Sequence, residues 1–257
     1  MNQPLIPLSQ AQLNTLETCP LQFQKTYLEQ LDSPLSVEIQ DKLAWGNRFH
    51  LLMQQQELGL NIAALLEPED ELSKAIKALN KTIAQNYAKN PPIWREAEHL
   101  RTLAWKNYLL KVVYDLVIFR KNSAEIIDWK TYLKPTEPTQ LAKNWQTRLY
   151  LYVLAETSNY QPQQISLTYW FVKLPQTPEK LTFTYNDSLH QKTKQDLRNL
   201  LNNLNFYWES FVKQGLDFPR SPACAQVCSA YFPCQSSPSS ESNQWLDLVE
   251  EIAEISL

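Results

Sequence analysis

Two aspartates and a lysine stand in a pattern that suits metal-assisted chemistry. Asp128 and Lys130 lie two residues apart in the apolar segment IIDWKT, so in a β-strand both side chains project from the same face. Asp115 lies in the apolar segment before them. A two-residue turn at Lys121 and Asn122 would place Asp115 directly opposite Asp128, whereas a three-residue loop would make the pair diagonal.

Two adjacent carboxylates in apolar surroundings repel each other and lose hydration, and a divalent cation between them relieves both effects. Mg²⁺ and Mn²⁺ bind oxygen ligands and lower the pKa of bound water, which suits phosphodiester hydrolysis. Lys130 would then orient or stabilise the attacking hydroxide. The alternative is a salt-bridged patch on an exposed sheet face, where such pairs contribute little. Both strands are apolar on both faces, which predicts a covered sheet and favours a site.

The spacing of apolar residues predicts helices and strands in an α/β order around these groups. Helices are expected over about 9–30, with a break at Pro20, and over about 37–58. The segment 61–90 is expected to form an inserted layer of amphipathic helices. The remaining elements are three antiparallel strands (95–105, 107–119 and 124–133), a helix within 136–157, two strands (164–174 and 179–185) and a long helix capped by Asp187.

Composition limits the class of protein. A chain of 257 residues with 44% apolar residues can bury one sizeable core, so a single elaborated domain is expected. Three glycines leave little room for Gly-rich phosphate loops, and a net charge of -3 requires any nucleic-acid contact to come from a local basic surface. The first ten residues lack the pattern of a signal peptide, and no apolar run spans a membrane, so a soluble cytoplasmic protein with no membrane partner is expected.

Five sequence elements, in order over about residues 9 to 234, resemble the RecB-like branch of the PD-(D/E)XK nucleases. They are Ser9 to Cys19-Pro20 and Phe23, Trp45-Gly46 to His50, Val113 to Val117 around Asp115, Ile126 to Thr131 around Asp128 and Lys130, and Gln146 to Tyr150. The sequence departs from the family pattern in two places: Val113 and Tyr114 stand where a glycine is usual before the first acid, and Tyr132 replaces a frequent glycine after Lys-Thr. Neither departure removes a charged group.

The resemblance implies a restriction-endonuclease-like core, in which a central mixed sheet is flanked by helices. It implies a metal-dependent deoxyribonuclease that hydrolyses single-stranded DNA or duplex ends in DNA repair or processing. Exonuclease action is favoured over endonuclease action, and a helicase or another processing subunit is an expected partner. The implied catalytic residues are Asp115, Asp128, Lys130, Gln146 and Tyr150, and the implied contacts to Mg²⁺ or Mn²⁺ are His50, Asp115, Asp128 and Trp129. Taken without the resemblance, His50 and Tyr150 would be read as structural core residues.

The four cysteines form a second pattern. Cys224, Cys228 and Cys234 give C-x3-C-x5-C near the end of the chain, and Cys19 stands far ahead of them. This arrangement resembles the iron-sulfur nucleases of the same branch, namely the AddB-type repair subunit and the CRISPR adaptation nucleases, and implies a [4Fe–4S] cluster. Four thiolates also suit structural Zn²⁺, and four unrelated buried thiols are a further alternative.

Residues 1–235 are therefore expected to form the nuclease domain, with the cysteine cluster at 224–234 and a linker and acidic helix at 236–257. The alternative from another class is a catalytically inactive DNA-binding or scaffolding module that keeps the fold and the cluster. The intact Asp115, Asp128 and Lys130 argue against it. A protein of unrelated function with a structural zinc site is the third possibility.

Overall fold

A computed structural model of the chain describes residues 5–31, 37–67, 70–87, 91–132, 138–173 and 177–221. The strands are β1 (Ile6–Leu8), β2 (Trp94–Trp105), β3 (Tyr108–Phe119), β4 (Ala124–Lys130), β5 (Ile165–Phe171) and β6 (Glu179–Thr184). The helices are α1 (Gln10–Thr18), α2 (Pro20–Phe23), α3 (Val37–Glu57), α4 (Glu71–Tyr87), α5 (Pro138–Lys143), α6 (Trp145–Thr157) and α7 (Asp187–Gln214). A π-helical turn follows α2 at Gln24–Leu28, and short 3-10 turns lie at Ile62–Leu65 and Pro162–Gln164.

The six strands form one mixed sheet with helices on both faces, as the sequence predicts for the fold class. β2, β3 and β4 form the expected antiparallel meander, β5 pairs with β4 in parallel, and β6 pairs with β5 antiparallel. β1 pairs with β3 in parallel and was not predicted. It has only three residues, one of them a proline, so it carries no alternation of polar and apolar side chains.

One edge of β3 is divided between two partners. β2 pairs along nearly the whole of β3, so β1 and β4 must share the opposite edge. β1 occupies residues 108–110 and β4 occupies residues 116–119. Between them, residues 111–115 have no strand partner on that edge within the described part of the chain. Asp115 lies in this opening.

Two apolar clusters cover the faces of the sheet. The larger cluster includes buried residues of α1, α6 and α7, represented by Leu13, Leu149 and Leu197. The smaller one includes α3 and α4, represented by Phe49 and Leu79. α4 lies in the segment predicted as an inserted helical layer, and it buries an amphipathic face against α3.

Helix ends follow the local sequence, with two differences from expectation. Proline ends α1 at Thr18 and leaves Cys19 at the bend, as predicted. The predicted helix within 136–157 is divided at Asn144, whose side chain caps α6. The expectation that Asp187 caps α7 is wrong. Asn186 has the extended backbone of a cap and accepts the N–H of Leu189, so Asp187 is the first helical residue, where its charge favours the helix dipole.

None of the helices within the described ranges combines the length and apolar character needed to cross a bilayer. Cys224, Cys228, Cys234 and the predicted linker and acidic helix at 236–257 lie outside the described residues.

Candidate active site

The hairpin of β3 and β4 has the register that the two-residue turn predicts. Leu116 pairs with Ile127 and Phe119 with Ala124, which places Asp115 opposite Asp128 at the end of the ladder. Regular pairing stops there, and beyond it the side chain of Asp115 acts as the acceptor. Its Oδ2 accepts the main-chain N–H of Trp129 at 2.7 Å. Asp115 is thereby fixed by β4 as well as by its own strand.

Asp128 and Lys130 project from one face of β4, as predicted, and both are buried. Lys130 Nζ lies 3.0 Å from Asp128 Oδ2 and donates to Gln146 Oε1 at 2.7 Å. Gln146 Nε2 donates to Asp128 Oδ1 at 2.8 Å. The α6 residue Gln146 therefore joins the acid and the lysine into one closed network. Tyr169 supports it from β5, with Lys130 Nζ 5.0 Å from the centre of its ring.

Trp129 points away from this network, and its side chain is buried in the smaller apolar cluster. The indole offers only an N–H donor, which cannot ligate a cation. The resemblance implies a metal contact at Trp129. Because the indole cannot ligate and the main-chain N–H donates to Asp115, that contact would be made by the main-chain carbonyl of Trp129.

His50 reaches Asp115 from α3, on the other side of the sheet. Its Nδ1 lies 3.4 Å from Asp115 Oδ2. Gly46, one helical turn earlier, makes this approach possible, because a Cβ atom at position 46 would lie 2.9 Å from Oγ1 of Thr131 at the end of β4. The Gly-x3-His spacing thus has a steric reason: the glycine brings α3 against β4, and the histidine then faces the aspartate.

Glu98 is a site residue that the sequence analysis missed. Its carboxylate oxygen, the oxygen of Asp115 and a ring nitrogen of His50 lie within 4.8 Å of one another, which is a grouping able to hold a metal ion. The pKa of Glu98 rises from 4.5 to about 7, mainly because the group is largely buried and further because the Asp115 carboxylate repels it; His50 opposes the rise. An acid pair of this kind favours a cation between its members.

Glu98 reaches the site through an irregularity of β2. It has a φ of 50°, whereas its neighbours continue an otherwise regular ladder in which Ala97 pairs with Leu116 and His99 with Tyr114. Ala97 packs against the smaller cluster, yet His99 stacks on Tyr114 of the larger one. Two residues that strict alternation would place on one face therefore face opposite ways.

β3 changes phase at the same level. Tyr114 and Val117, three residues apart, both belong to the larger cluster, while Leu116 belongs to the smaller one. Glu98 and Asp115 lie opposite each other at this reversal, and their side chains belong to neither apolar cluster. The only signal in the sequence is the odd spacing of apolar residues around Asp115, together with two glutamates in REAEH.

Tyr150 closes the site from α6 and is buried. Its hydroxyl accepts a hydrogen bond from Gln10 Nε2 at 3.0 Å, and its carbonyl accepts one from the Tyr114 hydroxyl at 3.0 Å. Burial raises the pKa of Tyr150 well above its usual value, and the Asp128 and Asp115 carboxylates raise it further. Tyr150 therefore keeps its proton and remains a potential hydrogen-bond donor.

These groups share one cavity of about 260 Å³. It is lined by His50, Glu98, Asp115, Asp128, Gln146 and Tyr150 on one side, and by residues 7–10, Gln12, Asn47, Lys111 and Val113 around the rest. Lys130 is fully buried behind Asp128 and Gln146. Of the residues predicted for the site, the described structure thus brings His50, Asp115, Asp128, Lys130, Gln146 and Tyr150 together.

Cys19, the cysteine that lies within the described residues, is fully buried at the bend between α1 and α2. The segment that follows α7 packs beside this bend: Leu21 N–H donates to the carbonyl of Pro219 at 3.2 Å, and Phe23 stacks on Phe218.

Comparison with known proteins agrees with this geometry. Residues 7–235 match the family model of the PD-(D/E)XK nuclease superfamily. No curated protein sequence matches the chain. Among solved structures, a protein from Eubacterium rectale provisionally described as an exonuclease has a TM-score of 0.52 at 10% identity, with 90% of each chain covered, and shows a common fold. The structure of SSO0001 is less similar, with a TM-score of 0.41 at 14% identity over 92% of this chain and 90% of the other. Because the family model spans almost all of the described residues and both strands of the acidic hairpin, the chain belongs to the PD-(D/E)XK nuclease superfamily, whose substrates are nucleic acids.

Proposed function

We propose that this protein is a divalent-metal-dependent deoxyribonuclease that hydrolyses single-stranded DNA or duplex ends. One observation carries the proposal: the grouping of His50, Glu98 and Asp115 opens into the same cavity as Asp128, which Lys130 and Gln146 hold in place. Metal ligands and a buried lysine beside one cavity are the components that metal-assisted phosphodiester hydrolysis requires.

The donor set fits Mg²⁺ or Mn²⁺. Two carboxylates supply oxygen ligands and His50 supplies a nitrogen, a mixture that Mn²⁺ accepts more readily than Mg²⁺. Asp128, across the strand pair from Asp115, and the carbonyl of Trp129 are the further contacts we propose. A bound ion lowers the pKa of water and offsets the charge that develops on the phosphate.

The protein's own groups have separate roles in this proposal. Lys130 lies between Asp128 and Gln146, and from behind these two side chains its charge would stabilise the attacking hydroxide and the developing negative charge. Gln146 fixes both partners, since its amide donates to one and accepts from the other. Tyr150 keeps its proton, and its hydroxyl holds Gln10 at the wall of the cavity.

Exonuclease action is favoured over endonuclease action. The Eubacterium rectale protein that shares the fold is provisionally described as an exonuclease, which supports this choice for the present chain. We further propose that the protein acts in DNA repair or processing beside a helicase or another subunit.

We also propose that Cys19, Cys224, Cys228 and Cys234 hold a [4Fe–4S] cluster, with structural Zn²⁺ as the alternative. The contact between Leu21 and Pro219 supports this proposal, because it brings a position five residues before Cys224 in the sequence beside the bend that carries Cys19. Cys19 is already buried at this junction. Ligation by a folded chain would add the binding free energy of the centre to stability.

The second candidate function is a non-catalytic DNA-binding module with the same fold. A cleavage assay separates the two functions. Wild-type protein is incubated with single-stranded DNA in Mn²⁺, in parallel with Asp115→Asn and with Asp41→Asn, a matched change on the exposed surface of α3. We expect cleavage by the wild type and by Asp41→Asn and its loss in Asp115→Asn. A wild type that binds DNA without cutting it would favour the module, and equal cleavage by all three would place the activity elsewhere.

A further inference from the structure

We infer that the start of α1, together with Gln10 and Lys111, forms a subsite for a backbone phosphate of the nucleic acid, beside the candidate metal centre. The inference rests on the proposed function and adds to it a second point of contact with the substrate. Its evidence comes from the wall of the cavity that holds no acidic residue.

The sheet brings the two parts of this subsite together. β1 runs parallel to β3, with Leu8 opposite Leu110. The chain then leaves β1 at Ser9 to begin α1, at the level where β3 continues to Lys111. Ser9, Gln10 and Lys111 are therefore at one level of the sheet, and all three line the cavity.

The start of α1 has donors that the helix does not use. Ser9 and Gln12 satisfy each other in a capping box, in which Ser9 Oγ accepts the N–H of Gln12 and Gln12 Oε1 accepts the N–H of Ser9. The N–H groups of Gln10 and Ala11, in the same turn, have no acceptor within the helix. The first turn holds no acidic side chain to offset the positive end of the helix dipole. Such an end is suited to an anion.

Gln10 gives an independent sign of a ligand. Its side chain is only 2% exposed, and its Nε2 contacts the Tyr150 hydroxyl, but its Oε1 has no partner among the described residues. A tyrosine hydroxyl can donate as well as accept, and an amide can turn by half a rotation. With Tyr150 donating to Oε1, Nε2 becomes a donor in need of an acceptor, which a phosphate oxygen provides.

The distribution of charge around the cavity also favours a phosphate near Lys111. Three carboxylates, those of Glu98, Asp115 and Asp128, line the cavity and would repel a polyanion. Among the described residues that line the cavity, Lys111 is the only lysine or arginine. Lys111 projects from the same face of β3 as Asp115. The two residues are four positions apart, which is about 13 Å along the strand. Lys111 therefore meets a different phosphate from the one at the metal centre.

Binding of a fluorescent single-stranded oligodeoxythymidine in Ca²⁺ tests the subsite, with the oligonucleotide checked to remain intact. The affinity is measured over a range of salt concentrations. We expect Lys111→Met to weaken binding and to reduce the slope of log affinity against log salt by about 0.7, the loss of one phosphate contact. Lys121→Met, an exposed lysine on the β3–β4 turn, is the matched control and should keep the wild-type slope.

Gln10→Glu tests the other half. A glutamate can still accept from Tyr150 but places a negative charge at the start of α1, so affinity should fall by about tenfold or more. Gln191→Glu on the exposed face of α7 adds the same charge elsewhere and should bind as the wild type does. Melting temperatures show whether the buried change leaves the protein folded, and Lys111→Met, an exposed change, remains decisive if it does not.

The outcomes separate this inference from the proposed function. Cleavage by the wild type, with unchanged affinity and salt slope in Lys111→Met and an unchanged affinity in folded Gln10→Glu, would overturn the subsite alone. A wild type that neither binds nor cleaves DNA would overturn both. Reduced binding in the two site variants, with cleavage still dependent on Asp115, supports both.

Discussion

The main-chain N–H of Trp129 donates a 2.7 Å hydrogen bond to Oδ2 of Asp115, so a carboxylate joins β3 to β4 at the point where their regular pairing ends. Asp115 thus has a structural contact as well as a place in the candidate metal group. The two contributions differ in what they need: the hydrogen bond requires an oxygen, and the cation requires a charge.

Substitution of Asp115 can separate them. Asp115→Asn keeps an oxygen acceptor for Trp129, so we expect a fold of nearly wild-type stability and strongly reduced Mn²⁺ binding. Asp115→Ala also loses the hydrogen bond and should be less stable than Asp115→Asn by about 1–3 kcal/mol. Urea denaturation and Mn²⁺ titration by calorimetry measure the two quantities. Equal stability of the two variants would mean that the hydrogen bond contributes nothing.

Removal of Lys130 should be costly to stability as well as to cleavage. Lys130→Met leaves the buried Asp128 carboxylate without its ammonium partner, and we expect a loss of about 3–5 kcal/mol. The double change Lys130→Met/Asp128→Asn removes both charges and should recover most of that loss, while cleavage stays absent. Denaturation of both variants at pH 7 checks this. A double variant no more stable than the single one would show that charge imbalance is not the cause.

Substitution of Gly46 should act on the site through α3. Gly46→Ala places a methyl group 2.9 Å from Thr131 Oγ1, so either the Thr131 side chain must rotate or α3 must shift, and a shift of α3 would carry His50 away from Asp115. We expect a cost of about 1–3 kcal/mol from overpacking, together with weaker Mn²⁺ binding. Thr131→Ala removes the obstructing atom, and the double variant should regain metal binding. Thr131→Ala alone is the control, and failure of the double variant would exclude this steric account.

The raised pKa of Glu98 predicts a pH-dependent stability in metal-free protein. Because the folded pKa is about 7 and the ordinary value is 4.5, ionisation of Glu98 disfavours the folded state; its contribution is greatest below pH 4.5 and is lost as pH rises toward 7. Glu98→Gln stays neutral. Its melting temperature without metal should therefore exceed that of the wild type at pH 8 and lie closer to it at pH 5.

Glu96→Gln is the matched control for that change, since Glu96 lies two residues away on β2 and is exposed. It should not reproduce the gain at pH 8. Mn²⁺ should stabilise the wild type more than Glu98→Gln, because the ion needs the charge that the variant lacks. A Glu98→Gln protein that behaves as the wild type at both pH values, with equal Mn²⁺ affinity, would remove Glu98 from the metal group.

The cysteine proposal predicts a linked loss of metal and stability. Anaerobically purified wild type should contain iron and sulfide and absorb in the visible range, whereas a zinc centre would be colourless. Cys228→Ser should reduce the metal content and the melting temperature together. Full metal content and stability in this variant would exclude Cys228 as a ligand.

The sequence was most informative where chemistry and alternation coincide. The short turn after Phe119 set the register that brings Asp115 opposite Asp128, and the spacing of Asp128 and Lys130 set their common face. The Gly46 and His50 pair was recognisable by resemblance, although its steric reason required the position of Thr131. For the two strands of the hairpin, a local rule was sufficient.

Glu98 could not be found in the same way. Strict alternation makes Glu96 and Glu98 equivalent, and only the backbone reversal at residue 98 sends one of them into the site. β1 was missed because a three-residue strand gains its stability from pairing with β3 and not from its own composition. Gln10 likewise acquires its contact with Tyr150 through a separation of 140 residues that no local pattern encodes.

Residues 111–115, which no described strand pairs on this edge of β3, have a consequence for solubility. An open strand edge can pair with the edge of another molecule and begin aggregation, and charged side chains on such an edge oppose this. Lys111 and Asp115 stand at the two ends of the opening, with Val113 between them. We therefore expect the groups proposed to bind phosphate and metal also to oppose self-association, and a variant that neutralises both to aggregate at concentrations at which either single variant remains in solution.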